Sequence, residues 1–138
     1  MAQHHKFGER SKAQLESCHP DLREVFNCVL KKFPLDITVI EGYRSNERQE
    51  EMFATGRSQL RAGQGKHNRS PSRAVDVAPL VAGKIEWDNR DLWLQFAGFV
   101  LGVAAMMDIE LTWGGDWDGD FNCREHSLFD APHFELKN

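Results

Sequence analysis

The longest apolar run, Leu92 to Met107, most constrains what this chain can become. Gln95 interrupts it, and Gly98 and Gly102 lie inside it. A membrane-spanning helix needs about 20 apolar residues, so this run is short for a span. Its length exceeds that of an ordinary strand, and Asp88 or Asn89 can cap its start. The expectation is a core helix from there to about Asp108, with the rest of the chain arranged around it. A length of 138 residues suits one domain with a real core.

Shorter elements flank that helix. Ser11 with Gln14 resembles a capping box, starting a helix to about Ser17. Pro20 fits the first turn of a second helix, whose apolar face is Leu22, Val25, Phe26, Val29, Leu30 and Phe33, and Pro34 ends it. The β-branched run from Asp36 to Gly42 reads as a strand. Ser45 or Asn46 can cap a helix through about Ala54, stopped by Gly56. Residues 57–72 read as loop. Further strands are expected at Arg73 to Val77, Lys84 to Trp87, Glu110 to Trp113 and His133 to Leu136, with Gly114 to Leu128 as loop. Helices and short strands mix without regular βαβ alternation. The expected class is therefore α+β, a small antiparallel sheet packed against helices in a single domain.

Composition excludes little but orders the classes. The chain is 41% hydrophobic and 28% charged, an ordinary globular balance without a disorder signature. A net charge of -4 gives no general reason to expect nucleic-acid binding, and a nuclease reading of His67-Asn68 lacks a basic surface. The polar N-terminus has no apolar stretch of a secretory signal. Cys18, Cys28 and Cys123 are odd in number and lack CxxC spacing, so reduced thiols in a cytosolically made protein are expected. A Cys18–Cys28 disulfide is compatible with the sequence but not indicated by it.

Two segments carry the candidate chemistry. The first runs from Lys66 through His67 and Arg73-Ala74-Val75-Asp76-Val77-Ala78-Pro79. The second is Phe129-Asp130-Ala131-Pro132-His133-Phe134-Glu135-Leu136. They offer two imidazoles and a carboxylate as metal ligands, with Asp130 to spare. A catalytic zinc site requires three protein ligands, an open position for water and a base beside it. Asp76 lies among apolar neighbours, so if buried it must be paired, hydrogen-bonded or metal-bound. Each residue also has an ordinary reading: a surface histidine at 67, a strand-end Asp76 in a salt bridge with Arg73, turn residues at Asp130 and His133.

Taken with Phe7-Gly8, Glu41-Gly42-Tyr43-Arg44-Ser45, Ile85-Glu86-Trp87 and Trp113-Gly114-Gly115-Asp116-Trp117, these segments resemble the zinc peptidases of peptidoglycan stem peptides. That family comprises D-alanyl-D-alanine carboxypeptidases and the L-alanyl-D-glutamate endopeptidases of phage endolysins. The similarity spans nearly the whole chain. It implies a Hedgehog/DD-peptidase-like fold and a single catalytic domain over residues 1–138, without a separate cell-wall-binding domain. It further implies zinc on His67, Asp76 and His133, Asp130 as general base and then acid, and Arg44 stabilising an oxyanion or holding a substrate carboxylate. Eight residues separate His67 from Asp76, more than is common in the family, with Ser70-Pro71-Ser72 in the gap. A different loop path is expected there.

Gln49, on the Asn46 helix, is a weaker candidate for a hydrogen bond near the site, and Ser58 and Lys66 for lining the groove. Asp116, Asp118 and Asp120, with Glu125 beyond, alternate oxygen side chains as calcium loops do, though without the EF-hand positions of Gly and Glu. His126 is a further candidate ligand, and His4 and His5 read as solvated tail residues. The resemblance points first to an L-alanyl-D-glutamate endopeptidase acting as a phage endolysin of Gram-negative hosts. Such a lysin would be made in the host cytoplasm, act on the periplasmic wall after holin-type release, and be monomeric without stable membrane insertion. The alternatives are a D,D- or L,D-carboxypeptidase of the same fold and a non-catalytic metal- or wall-binding module.

Overall fold

A computed structural model describes residues 5–58, 60–122 and 129–137. The elements run α1 (Glu9–Glu16), α2 (Pro20–Lys32), β1 (Ile37–Glu41), α3 (Asn46–Ala54), a 3-10 turn (Lys66–Asn68), β2 (Ala74–Pro79), α4 (Arg90–Met106), β3 (Leu111–Trp113) and β4 (His133–Leu136). The four strands form one antiparallel sheet in the order β1-β2-β4-β3. The α+β class expected from the sequence is the class observed.

Side chains alternate across the sheet, as strand geometry requires. One face carries Ile37, Val39, Val75, Val77, Phe134, Leu136, Leu111 and Trp113, all buried. Helices α2 and α4 cover it. Phe134 is the junction: its ring meets Phe26 of α2 edge-on at 5.4 Å and Phe96 of α4 at 6.0 Å. Helix α4 buries Trp93, Phe96, Ala97, Val100 and Ala104. It is not buried all round, because Leu94 and Met106 on its other side are exposed. Among the described residues, no helix is long and apolar enough to cross a membrane.

Several local expectations need correction. Helix α1 begins at Glu9 behind Gly8, without a side-chain cap. Ser11 and Gln14 turn to β1 instead: Ser11 Oγ accepts from Val39 N at 3.0 Å and Gln14 Oε1 from Gly42 N at 2.9 Å. Those bonds satisfy backbone donors at and just beyond a sheet edge, where no further strand is available. Lys84 to Trp87 forms no strand among the described elements. Val81 and Lys84 make an isolated bridge around a tight turn in which Ala82 and Gly83 both have positive φ. Ser45 rather than Asn46 caps α3, and Asn89 rather than Asp88 caps α4. By contrast, Cys18 and Cys28 are free thiols as expected, and burial pushes the Cys18 thiol up to about 12. His5 is not a solvated tail residue; it packs 3.8 Å from the Asp36 carboxylate. Cys123, Glu125, His126 and His4 lie outside the described residues.

Candidate metal centre

The opposite face of the sheet holds the polar residues. Asp76 stands at the middle of β2, with His133 of β4 in register beside it. On its other side the β1–β2 register shifts between Val39 and Glu41, so Glu41 rather than Ile40 pairs with Asp76. Such a bulge changes which side chain faces a given neighbour. It sets a row of three polar residues, Glu41, Asp76 and His133, across one face.

His67 arrives from the 3-10 turn. The long gap between His67 and Asp76 closes because Arg73 N donates to Lys66 O at 3.0 Å, bringing both ends of the loop together. The loop between them docks away from the site: Ser72 N donates to Ser17 O and His19 N to Ser72 O. The expected departure in loop path is thus accommodated without displacing His67, whose Nε2 lies 3.3 Å from Asp76 Oδ1. His133 Nδ1 lies 3.3 Å from the same oxygen. Donor atoms of all three residues fall within 4.8 Å of one another.

Partners outside this cluster set the ring tautomers. His67 Nδ1 is 2.7 Å from the Gly42 carbonyl and His133 Nε2 is 2.8 Å from Glu135 Oε1. Both partners only accept, so those nitrogens carry the protons. The other ring nitrogens then aim lone pairs at Asp76 Oδ1. Three acceptors converging on one point repel unless a cation lies between them. This donor set of two imidazoles and a carboxylate fits zinc. A proton can take the place of that cation. Burial opposes a charge on His133, but hydrogen bonds to Asp76 and Glu135 outweigh it and raise the imidazole to about 9. Burial likewise opposes ionisation of Asp76, yet the two histidines hold its carboxyl well below the usual range.

Asp130 precedes β4 in a turn. Its Oδ2 lies 3.9 Å from His133 Nδ1, and its carboxyl is raised by burial and by the Asp76 charge, against the pull of the histidines and Arg44. Arg44 is buried. Its guanidinium donates to Glu41 Oε1 through Nε (2.9 Å) and Nη2 (2.5 Å) and to Gln49 Oε1 through Nη1 (3.0 Å). Nη2 also lies 3.6 Å from Asp76 Oδ2. The arginine beside Asp76 is thus Arg44, not the Arg73 of its ordinary salt-bridge reading.

Gln49 makes the hydrogen bond near the site that its place on the Asn46 helix suggested. Buried on α3, it accepts from Arg44 and donates to Ser58 Oγ at 2.9 Å and Leu60 O at 2.6 Å. It therefore ties the cleft wall to the arginine. Ser58 and Lys66 do line the cleft, a cavity of about 490 Å³ that also takes in Arg44, His67, Asp76, Trp117, Asp130 and His133. The Trp117 ring lies 5.4 Å from that of His133.

Asp116, Asp118 and Asp120 also bring carboxylate oxygens together. Each accepts a backbone bond in its own loop, from Phe121 N, Asp120 N and Asn122 N respectively. Those bonds account for the alternating oxygens as loop closure.

Sequence reasoning assigned no role to Glu135, Glu41 or the Gly42 carbonyl. Strand alternation could have found Glu135, two residues from His133 and so on the same face. The Glu41 position depends on a bulge, and a carbonyl leaves no residue-type signal.

A family model described as phage L-alanyl-D-glutamate peptidase matches residues 3–137. An L-alanyl-D-glutamate peptidase of Escherichia phage T5 is 29% identical over 134 residues, 95% of this chain and 97% of that protein. The peptidoglycan L-alanyl-D-glutamate endopeptidase CwlK of Bacillus subtilis is 29% identical over 118 residues, 74% of this chain and 61% of its own. Among solved structures, the L-Ala D-Glu endopeptidase ChiX of Serratia marcescens superposes with a TM-score of 0.78 at 34% identity, over 97% of this chain and 91% of that one.

Proposed function

This chain belongs to the phage L-alanyl-D-glutamate peptidase family, and from that premise we propose that it cuts the L-alanyl-D-glutamate bond of peptidoglycan stem peptides at a zinc centre of His67, Asp76 and His133. The observation that carries the reading is the convergence of two imidazole lone pairs and one carboxylate oxygen, with the Asp130 carboxyl beside them. Zinc held there would polarise the scissile carbonyl and acidify a water molecule toward neutrality.

The protein's own groups supply the rest. Asp130 takes a proton from the attacking water and passes it to the departing D-glutamate amine, so the proton lost at one step returns at the next. Its raised carboxyl lies nearer the working pH than an ordinary aspartate, which favours both transfers. Arg44 faces the charge that develops on the carbonyl oxygen. Glu41 and Gln49 hold its guanidinium in place beforehand, which is what electrostatic stabilisation of a transition state requires. A single chain supplies every residue of this site, which supports a monomer. The place of action is the cell wall, reached after holin-type release.

Digestion of intact muropeptides followed by mass analysis tests the bond cut. New D-glutamate amino termini are expected. Release of free alanine with no cut beside D-glutamate would establish a carboxypeptidase instead. Undiminished lysis of permeabilised Gram-negative cells by D130A would leave only a binding module. Calcium at Asp116, Asp118 and Asp120 is a second reading, favoured only by the grouping of their oxygens. Hydrolysis should then fall when EGTA is added with zinc kept saturating, and unchanged activity removes calcium from the account.

A further inference from the structure

Lys66 and Glu135 lie beside the centre; Glu135 fixes the His133 tautomer, and neither takes part in the proton transfers above. Lys66 precedes His67 on the 3-10 turn and Glu135 follows His133 by two residues on β4. Their side chains meet across the cleft wall. Lys66 Nζ lies 3.1 Å from Glu135 Oε2, and the same ammonium donates to the Leu136 carbonyl. The other carboxylate oxygen, Glu135 Oε1, accepts from His133 Nε2 at 2.8 Å. Each oxygen of Glu135 thus has its own partner, and the carboxylate has little freedom to rotate. The pair is partly shielded, with side-chain exposures of 28% for Lys66 and 20% for Glu135. It is therefore screened less than an open surface pair.

We infer that Glu135 is the positioning residue of the metal centre, aiming His133 Nδ1 at the ion, and that Lys66 acts through Glu135 rather than on the substrate. This rests on the metal-centre reading of the site. Three features support it. A carboxylate on the distal nitrogen of a ligating imidazole fixes the tautomer and raises ligand basicity. Glu135 lines the same cleft as Asp76 and Asp130, so an unrestrained carboxylate there could turn toward the ion in place of water. The ammonium of Lys66 holds it on the far side of the imidazole. Finally, Lys66 ties the turn that carries His67 to the strand that carries His133, so the same contact sets the spacing of two ligands.

Zinc dissociation constants from chelator competition test this without reference to activity, using full-length wild type, E135Q, K66M, K66R and K66M/E135Q. Melting of each metal-free variant checks that it is folded. E135Q should bind zinc about 10–100-fold more weakly, the usual effect of losing such a partner. K66M should weaken binding in the same direction and K66R should restore it. The double variant should bind no more weakly than E135Q, because Lys66 has lost the group it acts through. The visible spectrum of the cobalt-loaded protein should shift in E135Q, which a purely architectural role would not produce. Wild-type affinity retained in E135Q overturns the inference. So does a further rise in KM when K66M is added to E135Q, since that places Lys66 on the substrate. Wild type that binds no divalent ion would instead overturn the metal-centre reading itself.

Discussion

At His133 the two ring nitrogens face different chemistries, a carboxylate on one side and the ligand cluster on the other. The metal-free imidazole is raised to about 9 and so is charged at neutral pH. Its contribution to metal-free stability is complete below about 6.5, the unfolded value, and is lost as pH rises through 9. A metal must displace that proton. Calorimetry at pH 7 in buffers of different ionisation enthalpy should therefore show at least one proton released per zinc ion. Zinc uptake with no proton release at pH 7 would contradict the raised imidazole. Asp130 gives the complementary prediction. D130N should lower kcat about 10²–10⁴-fold, the usual worth of a general base, while zinc affinity stays near wild type. At this scale His67, Asp76, Asp130 and His133 were legible as candidates, because metal and acid–base chemistry demand few residue types, while Arg44 came only with the family resemblance. Glu135 and Glu41 were not singled out, because an acidic side chain on a strand is ordinary until its neighbour is known.

Strands and turns decide how those residues meet. The β2–β4 register sets Asp76 beside His133, and the irregularity in β1 adds Glu41 to the row. The turn before β4 is packed against Gly114, where an added Cβ would lie 2.3 Å from the Asp130 carbonyl. That neighbour is backbone and cannot rotate away. Gly114→Ala should therefore displace Asp130 and His133 together, lowering both kcat and zinc affinity. A crystal structure or zinc titration of the variant checks this, and wild-type values for both would show the turn to be more yielding. Element existence was well marked in the sequence by Pro20, Pro34, Gly56 and the β-branched run of β1. The failures were local. Ser11 and Gln14 have the residue types of a capping box, but a sheet edge competes for the same groups and wins. Lys84 to Trp87 has strand-like residues but no described strand pairs with it.

The whole molecule is a polar sheet face held up by an apolar one. Phe134 lies between His133 and Glu135 in sequence and points the other way, into α2 and α4. Phe134→Ala should cost about 3–5 kcal/mol in urea unfolding, through lost burial and the cavity left behind. Because the same strand presents His133, zinc affinity should fall as well; full affinity would show that core and site are uncoupled. The sequence by itself determined the class of fold, the helical core segment from Leu92 and the inventory of ligands, because periodicity and residue chemistry are local properties. Convergence was decided only by tertiary structure. Strand register, the bulge at Glu41, the Arg73–Lys66 closure and the outer partners of both imidazoles depend on residues far apart in the chain. Which lone pair points inward is settled by what stands behind the ring, and only the folded chain puts something there.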